Sequence, residues 1–205
     1  MQTPVGRPKD LAKRKQILAA AKRLFLKSGY HGSSMNLIAQ EAGVTKLTVY
    51  NHFQDKANLF TCTIAETCEE FVHARLIHLD PNCNFLQIFA HACQLTLNMI
   101  SLPEAIKLEL LLLELSAEQN PLAIQFYNAS HQKMQLVWQD FFQKASQLGF
   151  LQHADIEEQT HILLSLLLGH RHHEVLLGVR PQPTLQQQQQ IVAQSIERFM
   201  LKYKP

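Results

Sequence analysis

The sequence predicts an all-α protein with an N-terminal three-helix helix-turn-helix domain and a larger helical C-terminal domain. Apolar residues recur at helical rather than alternating spacing almost everywhere in the 205-residue chain, whose interior contains few Gly and Pro. Residues 1–60 contain ten Lys and Arg against three Asp and Glu, a formal charge of +7, whereas the remainder contains nine against fourteen, a charge of −5. Residues 1–60, called the head below, are thus basic, and the remainder of the chain is acidic. This division indicates that only the head binds a polyanion.

The N-terminal part begins with a flexible basic arm at residues 1–9, where two prolines and one glycine interrupt any apolar period. Helix one is predicted at about residues 10–28, because Ile17, Ala21 and Phe25 fall on one face. Gly29 follows as a residue that stops a helix in the left-handed conformation.

A helix-turn-helix comes next. Helix two is predicted at about residues 35–42, after Ser34, whose side chain suits an N-cap. Gly43 can take the positive φ of a tight turn, and Thr45 is placed to cap helix three. A helix, a turn of about three residues that contains Gly, and a second short helix form the layout of this motif.

The rest of the chain is predicted to be helical as well. Asp55 is placed to cap a long fourth helix that extends towards His78. Proline, glycine and asparagine breaks then separate further helices at about residues 83–101, 104–117, 121–148, 155–179 and 185–203. The five glutamines at 186–190 are interpreted as the wet side of the last helix, because apolar residues flank them at helical spacing.

Helix three is predicted to have two unlike faces. At about 100° per residue, Val49 and Phe53 point to one side, whereas Leu47, Thr48 and Asn51 point to the other. A helix in a DNA major groove requires such an apolar inner face and a short-chained, hydrogen-bonding outer face. The alternative is a merely solvated helix, but the glycine turn, the basic arm and the division of charge favour DNA binding.

Residues 17–60 resemble the DNA-binding domain of the TetR/AcrR family of bacterial transcriptional regulators. The resemblance rests on an A-x-x-L-F helix, G-Y, a capped I-A-x-x-A-G-V, the run T-x-x-T-V-Y-x-H-F and a Lys that opens the fourth helix. It implies a homodimer whose third helices bind a palindromic operator in double-stranded DNA. It also implies three parts, namely an arm at 1–9, a DNA-binding domain at 10–56, and a ligand-binding and dimerisation domain at 57–205.

The resemblance assigns candidate DNA contacts by motif position. The base-side candidates are Lys46, Leu47, Tyr50 and Asn51, and the phosphate-side candidates are Ser34, Thr45, Thr48, His52 and Lys56. Asn36 is a further candidate at a position where the family varies. Leu47 stands where the family very often has glycine, which predicts an altered operator preference. Arg7, in the G-R-P of the arm, is a candidate for the minor groove, the alternative being a tail that makes only non-specific phosphate contacts.

The resemblance also implies that the C-terminal domain binds a small effector and dimerises. Candidate effector contacts are Phe89, His91, Met99, Phe126, Tyr127, Met134 and Trp138, with core packing as the alternative for each. No basic cluster accompanies them, so a hydrophobic or amphipathic effector is expected rather than an anion. Residues 155–179 are apolar around much of the helix, which indicates cover by a second subunit. Interface candidates are Leu164, Leu168, Leu176, Ile196, Phe199 and Met200.

A histidine-rich stretch is the strongest indication of other chemistry. His170 and Glu174 are four residues apart and could share a metal, with His161 as a further ligand and His172 and His173 between them. The spacing is not H-E-x-x-H, and no second motif supplies a nucleophile with its base. Interface or pocket lining is therefore favoured, and no metal, cofactor or enzymatic activity is predicted.

Three alternatives to a ligand-released repressor stay open at this stage. The first is a helix-turn-helix activator or architectural factor without ligand-induced release. The second is a metalloenzyme built on the histidine cluster, and the third is a small-molecule carrier that ignores DNA.

Cysteine usage and hydropathy predict the compartment. Cys62, Cys68, Cys83 and Cys93 form neither a C-x-x-C pair nor a zinc-finger spacing, which favours reduced thiols. The N-terminus is charged, and the longest apolar run, at residues 162–168, is too short to span a bilayer. A cytoplasmic protein without membrane insertion is predicted.

Overall fold

The computed structural model describes residues 8–73 and 78–205, and all regular structure in these ranges is helical, as predicted. The helices are α1 Pro8–Ser28, α2 Met35–Glu41, α3 Lys46–Phe53, α4 Lys56–His73, α5 Phe85–Ile100, α6 Pro103–Ala117, α7 Leu122–Tyr127, α8 Lys133–Gln147, α9 Ile156–Leu176 and α10 Leu185–Tyr203. A π-helical turn at Asn128–Gln132 joins α7 to α8, so the helix predicted at 121–148 is interrupted once.

Helices α1 and α9 differ from the prediction at one end each. Helix α1 begins at Pro8, so the last two residues of the predicted arm are helical. Proline is favoured at the first position of a helix because its φ is preset and its missing N–H is not needed there. Helix α9 ends at Leu176 and not near residue 179. The described part of α4 runs to His73, residues 74–77 lie outside the described ranges, and His78 is not helical. Residues 1–7, with Arg7, lie outside the described part of the chain.

The chain forms two compact units. The first contains the described residues up to Glu69 together with Leu111–Ser130, and the second contains Glu70–Leu110 and His131–Pro205. Helices α4 and α6 thus contribute residues to both units. The functional boundary at residues 56 and 57 stays a prediction, because the units group residues by proximity and not by role.

The core of the first unit is built on aromatic contacts between helices. Phe25 of α1 and Phe60 of α4 meet edge to face, with ring centroids 5.0 Å apart and planes at 86°. The ring centroid of Phe126 of α7 lies 5.9 Å from that of Phe60. Burial of one such side chain contributes about 1.5–3 kcal/mol, and the edge-to-face geometry adds a smaller amount. These contacts fix the helices that carry the basic head.

The core of the second unit is a dense group of aromatic rings. Phe89 of α5 is fully buried, and its ring centroid lies 5.6 Å from that of Phe141 and 5.4 Å from that of Phe199. Phe142 of α8 stacks on Phe199 of α10 at 5.1 Å. Helices α5, α8, α9 and α10 pack around this group. Aromatic side chains fill the space between these helices.

The last helix confirms the interpretation of the glutamine run. Thr184 and Gln187 form a reciprocal capping box at the start of α10. Four of the five glutamines at 186–190 are exposed, and Gln188 alone is buried. The run therefore forms the solvent-exposed side of a helix with a capping box at its start.

The apolar content of the helices does not reach that of a membrane span. No single helix in the described ranges is long and apolar enough to cross a bilayer; α5 and α6, bent by 66° at their junction, reach the required length and composition only as a pair.

A backbone break in α9 separates its apolar first part from the histidine-rich end. Gly169 has φ 55° and ψ −166°, a conformation that is essentially restricted to glycine. No heavy atom lies within 4 Å of the place where a Cβ would stand. The requirement for glycine is therefore one of backbone conformation and not of space.

We expect Gly169→Ala to lower the free energy of unfolding by about 1–3 kcal/mol, because alanine is strained in this conformation. Urea unfolding at one fixed protein concentration measures the change. Ser165→Ala, at an exposed helical position of α9, is the matched control and is expected to leave stability nearly unchanged. Equal stability of Gly169→Ala and the control would show that α9 straightens at no cost.

Candidate nucleic-acid interface

Side-chain caps define the start of each short helix in the head. Leu37 N donates to Ser34 Oγ at 3.2 Å, and Thr48 N donates to Thr45 Oγ1 at 3.2 Å. Gly43, in the turn between α2 and α3, has φ 64°. At the start of α4, Asn58 N donates to Asp55 Oδ1 at 2.8 Å. The three predicted caps and the predicted glycine turn are confirmed.

Helix α3 has the two faces that its spacing predicts. Val49 and Phe53 are 0% and 1% exposed, respectively. On the opposite side Leu47 is 69% exposed, Tyr50 is 39% exposed, and Asn51 is exposed as well. Burial of the inner face fixes the rotation of α3 about its own axis, so the outer face is the only one left for a partner.

The outer face combines one cation with several short polar groups. Lys46 Nζ lies 5.7 Å from the centre of the Tyr50 ring, a cation–π distance that draws the ammonium towards the helix. The hydroxyls of Thr45 and Thr48 are 2.8 Å apart and share a hydrogen bond. His52 is half-buried, with its ring 6.0 Å from that of Phe53.

Lys56 holds the turn after α1 against the start of α4. Its Nζ donates to the carbonyl oxygens of Tyr30 at 3.0 Å and of Ser33 at 3.1 Å. The same ammonium lies 4.2 Å from the centre of the Tyr30 ring. Burial lowers the pKa of Lys56. Two of its three donors are thus used inside the head, and one remains for a phosphate.

Two arginines of α1 also act within the head. Arg14 binds Glu66 of α4 at 3.2 Å and lies 5.4 Å from the centre of the Phe53 ring of α3. Arg23 binds Glu41 of α2 at 3.0 Å. Neither these arginines nor Tyr30 were among the predicted site residues. The G-Y of the family motif was the only sequence signal for Tyr30, and the ion pairs join residues too far apart in sequence to be paired by spacing.

The remaining candidates of the head lie at its surface or beyond the described residues. Asn36 of α2 is exposed, and Ser34 is half-buried with its hydroxyl engaged in the cap. Arg7 lies outside the described residues. DNA contact by any of the eleven candidates stays a prediction.

The predicted effector residues are spread over both units. Phe89 and Trp138 are buried in the aromatic core of the second unit, with ring centroids 6.0 Å apart, whereas Phe126 packs in the first. The others are either exposed or half-buried, namely His91, Tyr127, Met99 and Met134. None of the seven lines the cavity found in the second unit, which lies among α5, α6, α9 and α10.

The predicted interface residues differ in what they offer a partner. Phe199 is fully buried within the single chain and so has no surface left for another subunit in this packing. The other five are half-buried, namely Leu164, Leu168, Leu176, Ile196 and Met200. Their assignment to an interface stays a prediction.

The histidine-rich end of α9 joins a polar cluster in the second unit. His131 binds Glu109 at 2.9 Å. Burial opposes ionisation of Glu109, but the hydrogen bond and charge of His131, together with His172, lower its pKa. Burial lowers the pKa of His172, as do His131 and His173, while Glu109 opposes this.

Of the two residues that could have shared a metal, His170 and Glu174, the glutamate is engaged in an ion pair. Glu174 binds Arg180 at 2.6 Å. Within the residues that the structure describes, no three His, Cys, Asp or Glu side chains are placed to hold a metal ion.

Family models match both parts of the chain. Residues 17–61 match the model of bacterial regulatory proteins of the tetR family. Residues 87–205 match that of the C-terminal domain of AefR-like transcriptional repressors. The HTH-type transcriptional activator FasR of Mycolicibacterium smegmatis is 37% identical over 65 residues, which are 32% of this chain and 29% of that protein. The chain thus aligns with less than a third of that relative's length.

Solved structures share the fold over nearly the whole chain. A regulator assigned to the TetR family from Mesorhizobium loti has a TM-score of 0.84 and 23% identity, covering 97% of this chain and 100% of that one. The flavonoid-responsive regulator FrrA has a TM-score of 0.80 and 23% identity, covering 95% and 98%. At this identity the likeness shows the fold alone.

We expect Thr45→Ala to lower the free energy of unfolding by about 1 kcal/mol, because the N-cap bond to Thr48 N is lost. Thr45→Ser keeps the hydroxyl and is the matched control, with near wild-type stability. Chemical unfolding of each variant without DNA measures the effect. If alanine and serine behaved alike, the cap would not be what stabilises the start of α3.

Proposed function

The chain belongs to the TetR family of bacterial regulatory proteins, and we propose that it is a cytoplasmic transcriptional repressor that binds a palindromic operator as a homodimer. The observation that carries the proposal is the outer face of α3. This face presents Lys46, Leu47 and Asn51 to solvent, while Val49 and Phe53 fix the helix from behind. A short helix held in this way and opened by a cap is suited to the major groove.

Within this proposal the exposed side chains of α3 divide into two roles. Asn51 and Lys46 have donors that suit base edges, and Leu47, the most exposed apolar residue of α3, suits a thymine methyl. Hydroxyl and imidazole groups that suit phosphates belong to Ser34, Thr45, Thr48 and His52. Tyr50 is a further base-side candidate, and Asn36 adds an exposed amide on α2.

Lys56 has a positioning role in this proposal besides its phosphate contact. Its ammonium binds two carbonyl oxygens of the turn that precedes α2, so the end of α1 and the start of α4 stay together. A phosphate would accept from the one remaining donor and from backbone N–H groups at the start of α4. Arg7 would contribute from the arm.

Repression is favoured over activation by the match of residues 87–205 to a domain of transcriptional repressors. An activator is the second candidate, because the relative FasR bears that name. The two differ in the effect of deleting the protein on the transcript of the regulated gene, which rises for a repressor and falls for an activator.

Release by a small effector is the regulatory part of the proposal. FrrA, with the same fold, is described as flavonoid-responsive, which supports a hydrophobic or amphipathic effector here. Such a ligand would act by binding better to the conformation in which the two heads of the dimer do not match the operator. The helices α4 and α6, which contribute to both units, would carry this change.

The proposed dimer would form on α9 and α10. Exposed apolar residues occur at and just after these helices, with Leu177 65% exposed, Leu185 61% and Leu201 83%. The half-buried Leu164, Leu168, Leu176, Ile196 and Met200 would contribute their remaining surface. A second subunit that covered α9 and α10 would remove this apolar surface from water.

The test of the function is binding to the intergenic DNA beside the protein's own gene, measured by fluorescence anisotropy at two salt concentrations with excess competitor DNA. A sequence-specific regulator is expected to keep binding this DNA in the presence of competitor. Weak binding that competitor abolishes, there and in a genome-wide selection of bound fragments, would contradict the proposal.

Two substitutions on α3 separate base reading from phosphate contact. Asn51→Ala should weaken operator binding by about 1–3 kcal/mol and relax the preference for a particular base. Thr48→Ala should weaken binding to operator and to competitor DNA about equally, because a phosphate contact carries no sequence information. Anisotropy with the operator and with operators altered at single positions measures both. If Asn51→Ala weakened binding to all DNA sequences equally, Asn51 would not read a base.

Lys46→Gln tests a second role that we propose for Lys46, neutralisation of a phosphate beside the base edge that it contacts. Each cation that neutralises a phosphate contributes about 0.9 to the slope of log K against log salt, so loss of Lys46 from both subunits of the dimer should reduce the slope by roughly twice that amount. Lys107→Gln is the matched control, because Lys107 is an exposed lysine of α6 in the second unit, and it should leave the slope unchanged. If the two variants had identical slopes, Lys46 would not neutralise a phosphate and would keep only its base-side role.

A further inference from the structure

A small cavity in the second unit has apolar walls and one half-buried cationic side chain. It lies among α5, α6, α9 and the start of α10, and its volume of about 20 Å³ gives room for about one water-sized group. A cleft opens from it to solvent, and the cavity and cleft together leave about 330 Å³ free of protein atoms, part of which is open solvent. Leu97, Ile106, Leu167 and Ile191 form apolar walls, and Arg171 is the one permanent cation among the lining residues.

The guanidinium of Arg171 is only partly satisfied by the protein. Its Nη2 donates to Gln187 Oε1 at 2.9 Å. Its Nε is buried and has no hydrogen-bond partner. Among the residues that the structure describes, no carboxylate is paired with this arginine. A buried donor of a charged group without an acceptor is unfavourable, so an anionic acceptor at this point would be stabilised.

The position of Arg171 follows from the sequence of α9. Leu163 and Leu167 are buried on the core side, and Arg171 comes at the next position of the same four-residue series. The break at Gly169 lies between the last leucine and the arginine. A cation therefore occurs where the pattern calls for another apolar residue, and no carboxylate among the described side chains pairs with it.

We propose that this cavity binds a small amphipathic monocarboxylate, with the carboxylate accepting from the guanidinium of Arg171 and the apolar chain lying along the cleft against Leu97, Ile106 and Ile191. The proposal rests on the proposed function in one respect, since it makes this ligand class the effector. It keeps the expectation of an amphipathic effector but departs from the expectation that this effector is not an anion. A carboxylate suits the site better than phosphate, because the enclosed space is small and a single guanidinium faces it.

The probe is hexanoate, with hexanamide as a neutral ligand of the same shape, titrated into the full-length protein by isothermal titration calorimetry. Saturable binding of hexanoate is expected, and hexanamide should bind at least about tenfold more weakly because its hydrogen bond is not charge-assisted. Inorganic phosphate should not compete. Absence of saturable hexanoate binding, equal binding of the amide, or displacement by phosphate would overturn the proposal.

Substitution of the arginine locates the binding. Arg171→Gln should weaken hexanoate binding at least about tenfold and leave the already weak hexanamide binding unchanged. Arg180→Gln is the matched control, because Arg180 is an exposed arginine bound to Glu174 and does not line the cavity. Unchanged hexanoate affinity in Arg171→Gln would overturn the site. If Arg171→Gln folds poorly, the affinities of the wild-type protein for hexanoate and hexanamide still test whether the carboxylate is recognised.

A separate measurement distinguishes this proposal from the proposed function. Operator binding without hexanoate tests the regulator and does not involve Arg171. If the protein binds its operator but not hexanoate, only the cavity proposal is wrong. If saturating hexanoate binds through Arg171 and leaves operator affinity unchanged, the effector role is overturned. Release of the operator by hexanoate in wild type but not in Arg171→Gln is the expected result.

Discussion

Burial of one side of α3 is the constraint on which the functional surface depends. Val49 and Phe53 are enclosed by the core of the first unit, so the helix cannot rotate without exposing them. Their burial contributes a few kcal/mol, which is more than any single polar contact of the outer face could offset. Lys46, Leu47 and Asn51 are therefore held outward by hydrophobic packing and not by contacts of their own.

The surrounding head strengthens this arrangement with polar contacts between distant residues. Lys56 binds the carbonyl oxygens of Tyr30 and Ser33, and Arg14 joins α4 through Glu66 while lying over Phe53. Basic residues of the head thus serve two purposes, and its formal charge of +7 overstates the number of cations free to meet DNA. A rigid head has a lower entropic cost of ordering when it binds.

The second unit follows a different principle. Its centre is filled by aromatic rings, among them Phe89, Trp138 and Phe199, so side chains that looked like effector or interface contacts in the sequence are already used in packing. An unsatisfied polar group lies at the edge of this unit instead, where the buried Nε of Arg171 has no hydrogen-bond partner. A unit with a closed core and one unsatisfied cation at a small cavity is suited to respond to a ligand at that cavity.

The sequence by itself determined the all-helical class, the caps at Ser34, Thr45 and Asp55, and the two faces of α3. These features depend on residues within a few positions of one another, where helical periodicity and capping chemistry act directly. Only the tertiary structure decided which aromatic residues close the cores, that Lys56 binds the turn after α1, and that Arg171 lines a cavity while its Nε has no hydrogen-bond partner. Such features depend on contacts between segments far apart in the chain, and spacing along the sequence does not encode which distant side chains will meet.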